Sequence, residues 1–113
     1  MATFVKFQEF VEHVAEKVHN LGSDQIKVAL TNTDPTAALS PARYASLTSP
    51  LPTTNLSGGT PFNVTTSSSA QTSGTYKLVL ADLTLTATGA VGPFRYVVLY
   101  NDTATNKECI GYY

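Results

Sequence analysis

Residues 75–104 read TYKLVLADLTLTATGAVGPFRYVVLYNDTA, the densest apolar stretch of the chain. Successive side chains of a strand point to opposite faces, so an apolar period of two marks a strand. Tyr76, Leu78 and Leu80 fall on one side; Lys77, Val79 and Ala81 fall on the other. After Asp82 the parity flips to Leu83 and Leu85. One extra residue near Ala81 and Asp82, a bulge or sharp bend, restores both leucine pairs to one face. Gly89, Gly92 and Pro93 then punctuate the chain. A second strand over residues 94–100 carries Phe94, Tyr96, Val98 and Tyr100 on one side and Arg95, Val97 and Leu99 on the other. It is apolar on nearly both faces, as a strand inside a sheet is. The stretch therefore predicts two strands joined by a glycine-rich turn at the centre of the fold.

The chain of 113 residues is long enough for one domain and too short for two ordinary ones. Charged residues make up 13%, against about 25% in a typical globular protein. Ser and Thr take their place, which favours strands and turns over solvated helices. A net charge of −1 gives no long-range field to gather nucleic acid or an anionic membrane. A sparsely charged surface is also poor at preventing association, which fits a component of an assembly. Cys109 is the only cysteine, so no internal disulfide forms, and it reads as a small buried hydrophobe. No apolar run approaches the ~20 residues of a membrane-spanning helix. The start of the chain reads as a charged helix without a signal-peptide core, and the expected site of synthesis is the cytoplasm.

In chain order, residues 3–22 predict one amphipathic helix. Phe7, Phe10, Val11, Val14, Val18 and Leu21 form its apolar stripe, Thr3 is the expected cap and Gly22 the expected stop. Residues 25–32 predict a half-buried strand with Ile26, Val28 and Leu30 inward. Residues 34–61 lose periodicity; Pro41, Pro50, Pro52, Pro61 and the Gly58-Gly59 pair exclude a long helix or a central strand. Leu39, Tyr44, Leu47, Leu51 and Leu56 are too many apolar residues for a free linker, so this stretch is an extended arm across a partner or a long loop packed on its own domain. Residues 62–113 are the β region. Phe62, Val64 and Thr66 start it, the polar tract 65–75 is a turn or an exposed edge strand, and residues 107–113 form the last strand. There, Ile110 and Tyr112 are expected on one face and Cys109, Gly111 and Tyr113 on the other. The expected fold is a single α+β, mainly β domain: one N-terminal helix packed on an antiparallel sheet or sandwich, with a long arm.

Reactive constellations are weak. Glu9, His13 and Glu16 share a helical face, and a solvated stripe explains them better than a metal site, which needs further ligands. His13 and His19 do not share a face of one helix. The serines lack a nucleophile elbow and a partner base. The glycine pairs lack the rest of a phosphate or dinucleotide loop. The six tyrosines with Arg43 and Arg95 lack the basic groove of a single-strand binder. No catalytic, cofactor-binding or metal-ligating residue is assigned.

Three runs carry a family resemblance: AEKVHNLGSDQIKVALTNT at 15–33, SGTYKLVLADLTLTATGAVGPFRYVVLYNDTA at 73–104, and IGYY at 110–113. Together they resemble a family of small virion structural proteins of tailed bacteriophages. They cover well over half the chain and contain no chemical motif. Residues 36–61 depart from the family pattern, and the resemblance implies a further turn and strand pair beyond IGYY. It implies a virion location and no enzymatic activity. The expectation is a capsid decoration or cement protein that contacts the major capsid protein and copies of itself, with no nucleic acid or membrane partner. A tail, neck or fibre component is the alternative, and a small intracellular enzyme or binding module is the remaining class. Expected partner contacts are Tyr44, Leu47, Leu51 and Leu56 in the arm, with Tyr112 and Tyr113 at the end; multivalency makes many weak contacts sufficient.

Overall fold

A computed structural model describes residues 3–57 and 60–113; the Gly58-Gly59 pair lies outside them. The chain is mainly β, with antiparallel strands and one short helix. Strands β1 (Val5–Lys6), β2 (Ile26–Thr31), β3 (Asn63–Val64), β6 (Tyr96–Asn101) and β7 (Cys109–Tyr112) form one sheet in the order β1-β7-β6-β2-β3. Strands β4 (Thr66–Thr72) and β5 (Thr75–Leu80) form a separate hairpin. The helix α1 spans Gln8–Ala15, and a 3₁₀ turn covers Tyr44–Ser46.

The helix is shorter than residues 3–22 because its flanks have other work. Val5 and Lys6 pair with Tyr112 and Gly111, which holds residues before Phe7 extended. Phe7, not Thr3, is the N-cap position. The helix ends at Ala15, seven residues before Gly22. Val18 N–H donates to His13 O at 2.9 Å and Lys17 N–H to Val14 O at 3.4 Å, with Lys17 at φ 69°. That is a Schellman arrangement, here with lysine in the position glycine usually takes. The apolar stripe splits accordingly. Phe7 is fully buried and Phe10 partly so, whereas Val11 is 61% exposed and Val14 also lies open.

The central stretch corrects the expected hairpin. Its two strands do not pair with each other. β5 pairs with the polar strand β4, and β6 lies between β2 and β7. Ser73 (φ 51°) and Gly74 (φ 84°) make the two-residue turn between β4 and β5; positive φ at both positions is the backbone a tight hairpin needs. β5 ends at Leu80, so no bulge carries it to Leu83 and Leu85. Residues 81–95 form a connection without a named strand, touching residue 56 through an isolated Leu56–Ala87 bridge.

Both faces of the five-stranded sheet are apolar. On one, Ala29, Val98, Tyr100, Cys109 and Tyr112 pack with Phe7, Ala42 and Leu47. Aromatic rings dominate this layer: Phe7 lies 5.2 Å from Tyr112, and Tyr44 lies 4.8 Å from Tyr100 between centroids, spacings at which tilted pairs attract beyond area burial. On the other face Ile26, Val28, Val64 and Ile110 pack with Leu80, Leu99 and Phe62. Cys109 and Tyr112 share a face, against the expected alternation. A register shift between Leu99 and Tyr100 leaves Ile110 as the extra residue and turns it to the opposite layer.

Residues 36–51 are packed on the chain's own sheet. Glu9 holds them: Ser40 Oγ donates to one carboxylate oxygen and Ala42 N–H to the other, at 2.9 Å for Ala42. Glu9 is therefore not part of a solvated stripe. Ala42 O then accepts Cys109 N–H at 2.8 Å, Tyr44 N–H donates to Lys107 O at 2.9 Å, and Leu51 N–H donates to Leu30 O at 2.8 Å. These bonds cover the parts of β7 and β2 that the two-residue edge strands β1 and β3 leave unpaired, and edge strands that short are themselves poor templates. Gly111 is needed where β1 crosses β7: a Cβ there would lie 2.7 Å from Val5 O and collide with the Phe4 ring.

If Phe7 rather than the length of the stripe anchors the helix, Phe7→Ala costs about 3–5 kcal/mol, while Val11→Ala changes stability by less than about 0.5 kcal/mol. Urea unfolding followed by circular dichroism measures both. Equal losses at the two positions would return the helix to the longer, uniformly buried form.

Candidate functional site

The second sheet face is only partly covered. The β4–β5 hairpin stands across from it, and between them opens a cleft of about 1400 Å³. Ile26, Leu99 and Ile110 of the sheet form its floor; Ser69, Tyr76, Leu78 and Leu80 of the hairpin form the facing wall. The end of α1 and the turns after it, from Val14 to Gly22, close one side with Phe4 and Phe10. The hairpin wall follows from strand alternation: Tyr76, Leu78 and Leu80 share one side of β5, and Ser69 is the cross-strand partner of Leu78. Leu80 reaches the core, but Tyr76 remains 49% exposed.

One end of the cleft is polar. Asn101 is fully buried, and all four of its side-chain bonds are made. Its Oδ1 accepts Thr103 N–H (3.0 Å) and Ala104 N–H (3.2 Å). Its Nδ2 donates to Asp24 Oδ2 (2.7 Å) and to His19 Nδ1 (3.0 Å). Since Nδ1 accepts, His19 is neutral with its proton on Nε2. Protonation would set an N–H against the Asn101 amide and break that bond. Burial lowers the His19 pKa below its ordinary value, and nearby His13 adds to the effect, against smaller opposing contributions from Glu108 and Asp24.

The structure brings His13 and His19 together, with ring centroids 6.0 Å apart. They need not share a helical face, because the helix has ended between them. Among the described residues no three His, Cys, Asp or Glu side chains are grouped to hold a metal ion. Three polar atoms in this region are buried without a hydrogen-bond partner among the described residues: His13 Nδ1, His19 Nε2 and Glu108 Oε2. Glu108 is only 5% exposed and lines the cleft beside Ile110. The sequence alone did not single out Glu108. The available signal was its place one residue before the buried Cys109-Ile110 pair. The Cys109 thiol is fully enclosed, and burial, reinforced by the charge of Glu108, pushes its pKa up to about 12. It stays a protonated hydrophobe at neutral pH.

The expected contact residues separate into two groups. Leu47 and Tyr112 belong to the chain's own buried core, and Tyr44 packs against it. Their side chains are spent on this domain, since the arm is the cover for one sheet face. Leu51 and Leu56 are half-buried, and Tyr113 is 46% exposed beside the exposed Phe4, 6.4 Å between centroids. Leu83 and Phe94 add exposed apolar surface along the 81–95 connection. No helix among the described residues is long and apolar enough to cross a membrane. No protein-family model, curated protein or solved structure matches this chain.

His19 gives a pH test with a defined sign. Its folded pKa lies below the ordinary 6.5, so the unfolded chain binds the proton more readily. Its contribution to stability is complete above pH 6.5 and declines as pH falls below that value. Glu9 and Asp102, held low by Ser40 and Lys107, titrate below their ordinary 4.5 and 3.8 and stay out of this window. Urea unfolding of the wild type is therefore expected to weaken between about pH 7 and pH 5, and His19→Gln to flatten that decline. An equal decline in both proteins would remove His19 as the cause.

Proposed function

We propose that this chain is a non-enzymatic structural component of a tailed-phage particle, bound on the outside of the capsid and bridging neighbouring subunits. The phage context comes from the resemblance carried by residues 15–33, 73–104 and 110–113. The observation that favours an assembly role is the β4–β5 hairpin. Among the described residues each strand pairs only with the other, so the hairpin keeps two outer edges without a strand partner there, and most of β4 and half of β5 are exposed. A two-stranded hairpin is marginal alone in water. An unpaired edge is a template for a strand from another chain, with backbone bonds supplying affinity and side chains setting register. The sheet's own edges are blunted, so the hairpin is where added pairing has room.

In this reading each copy contributes weak contacts, and the particle multiplies them. The exposed Phe4–Tyr113 pair and the exposed Leu83 and Phe94 supply apolar contact surface. The arm contributes by covering its own sheet and so keeping the domain folded at low charge. Major capsid protein and further copies of this chain are the partners.

Quantitative mass spectrometry of purified particles and of separated heads tests the reading. Many copies per head, in a simple ratio to the major capsid protein, are expected. A few copies that follow the tails would overturn the capsid placement, and absence from particles would overturn the reading altogether.

A further inference from the structure

The cleft combines two features that a domain of this size does not need for its own folding. It leaves an apolar floor and wall open, and it buries a carboxyl oxygen with nothing to bond. Glu108 Oε2 has no hydrogen-bond partner among the described residues, although Glu108 is only 5% exposed. A buried polar atom without a partner costs free energy, and the cost is larger for an ionised group. Asp24, the other carboxylate of the cleft, is already engaged by the Asn101 amide and by Asn20 N–H at 2.8 Å. Lys6 and Lys17 also line the cleft but are exposed, so they lie towards its rim. His19 Nε2, which also lines the cleft and has no partner among the described residues, carries a proton and calls for an acceptor. Glu108 Oε2 is the unmet acceptor, and a cation satisfies it best.

The shape defines what carries that cation. The volume exceeds the ~300–1,000 Å³ of small-molecule pockets. Its walls are a sheet face and a hairpin face, the two sides of a sandwich left unclosed. An extended segment with alternating apolar side chains fits between such faces.

We infer that the cleft is a docking site for an extended segment of another protein, in which apolar residues flank a Lys or Arg whose head group bonds Glu108 Oε2. The apolar residues lie on Ile26, Leu99 and Ile110, and Tyr76 closes over them from the hairpin. Glu108 reads the cation and so sets the register. This inference rests on the cleft alone and holds or fails separately from the chain's place in a particle.

The test selects a random heptapeptide library against the immobilised full chain and then measures the best binder by titration calorimetry. Methyl NMR with isoleucine and leucine labels locates it. Selected peptides are expected to carry Lys or Arg between apolar residues and to shift the methyls of Ile26, Leu99 and Ile110. Glu108→Gln is expected to weaken the peptide about tenfold or more, in the range of a lost charge-assisted bond, and norleucine in place of the cation does the same with wild-type protein. The Gln variant then no longer distinguishes the two peptides. Tyr76→Ala, at a position 49% exposed, is expected to weaken both peptides equally. If Glu108→Gln fails to fold, the norleucine peptide and Tyr76→Ala still decide. Binders without a cation, equal binding of the norleucine peptide, shifts confined to other surfaces, absence of any binder, or self-association that fills the cleft would each overturn the inference.

Discussion

A sheet that is apolar on both faces needs cover on both, and this chain has material for about one and a half. Strands β2 and β6 put Ala29 and Val98 into one layer and Val28 and Leu99 into the other. The first layer receives the start of the helix and the arm, and its aromatic rings close it. The second receives the tip of β5 through Leu80 and the turns after the helix, and a cleft remains. Most other features follow from that division. The helix is short because Val5 and Lys6 must pair with β7 before Phe7 can turn inward. The arm lies on the sheet because Phe7 alone cannot cover Tyr100 and Tyr112.

The uneven cover also sets where the molecule is firm and where it can adapt. The polar end of the cleft is fixed by Asn101, whose four bonds tie the loop after β6 to His19 and Asp24. Lys107 adds to this by holding Asp102 at 2.7 Å in the same loop. The hairpin has few such ties. Elements with exposed backbone pairing and few buried contacts open at low free energy, and they can move to accept a partner at small cost. Firm floor and movable wall are a workable combination for binding a chain segment.

Several elements were legible in the sequence for clear physical reasons. The strand at 25–32 shows alternation and occurs as β2, although it is buried on both faces and not half-buried, because Ala29 and Thr31 are covered as well as Ile26, Val28 and Leu30. The second central strand, apolar on both sides, occurs as β6. The tract at 65–75 was readable as a turn or an exposed edge strand, and it holds the strand β4, because Thr and Ser hold a strand without burying it. Pairing was less legible. Leu78 and Leu80 look like neighbours of Val98 and Tyr100, yet the tight Ser73-Gly74 turn binds β5 to the polar strand before it. The glycines at 89 and 92 instead punctuate a long crossing segment. Local turn chemistry outweighed hydrophobic likeness. The end of the helix was hidden because Lys17, not a glycine, takes the left-handed position. That hid the approach of His13 to His19 as well. Glu108 was invisible as a site residue because a lone glutamate in a strand has no signature until its neighbours are placed around it.

The account turns on the idea that the exposed hairpin and the half-covered sheet face are surfaces for other chains. Image reconstruction of the particle at side-chain resolution tests this most directly. The account predicts this chain on the capsid exterior, with a neighbouring chain against an outer edge of β4 or β5 or within the cleft. A reconstruction in which the chain is bound through other surfaces, with both hairpin edges and the cleft facing solvent, would contradict it.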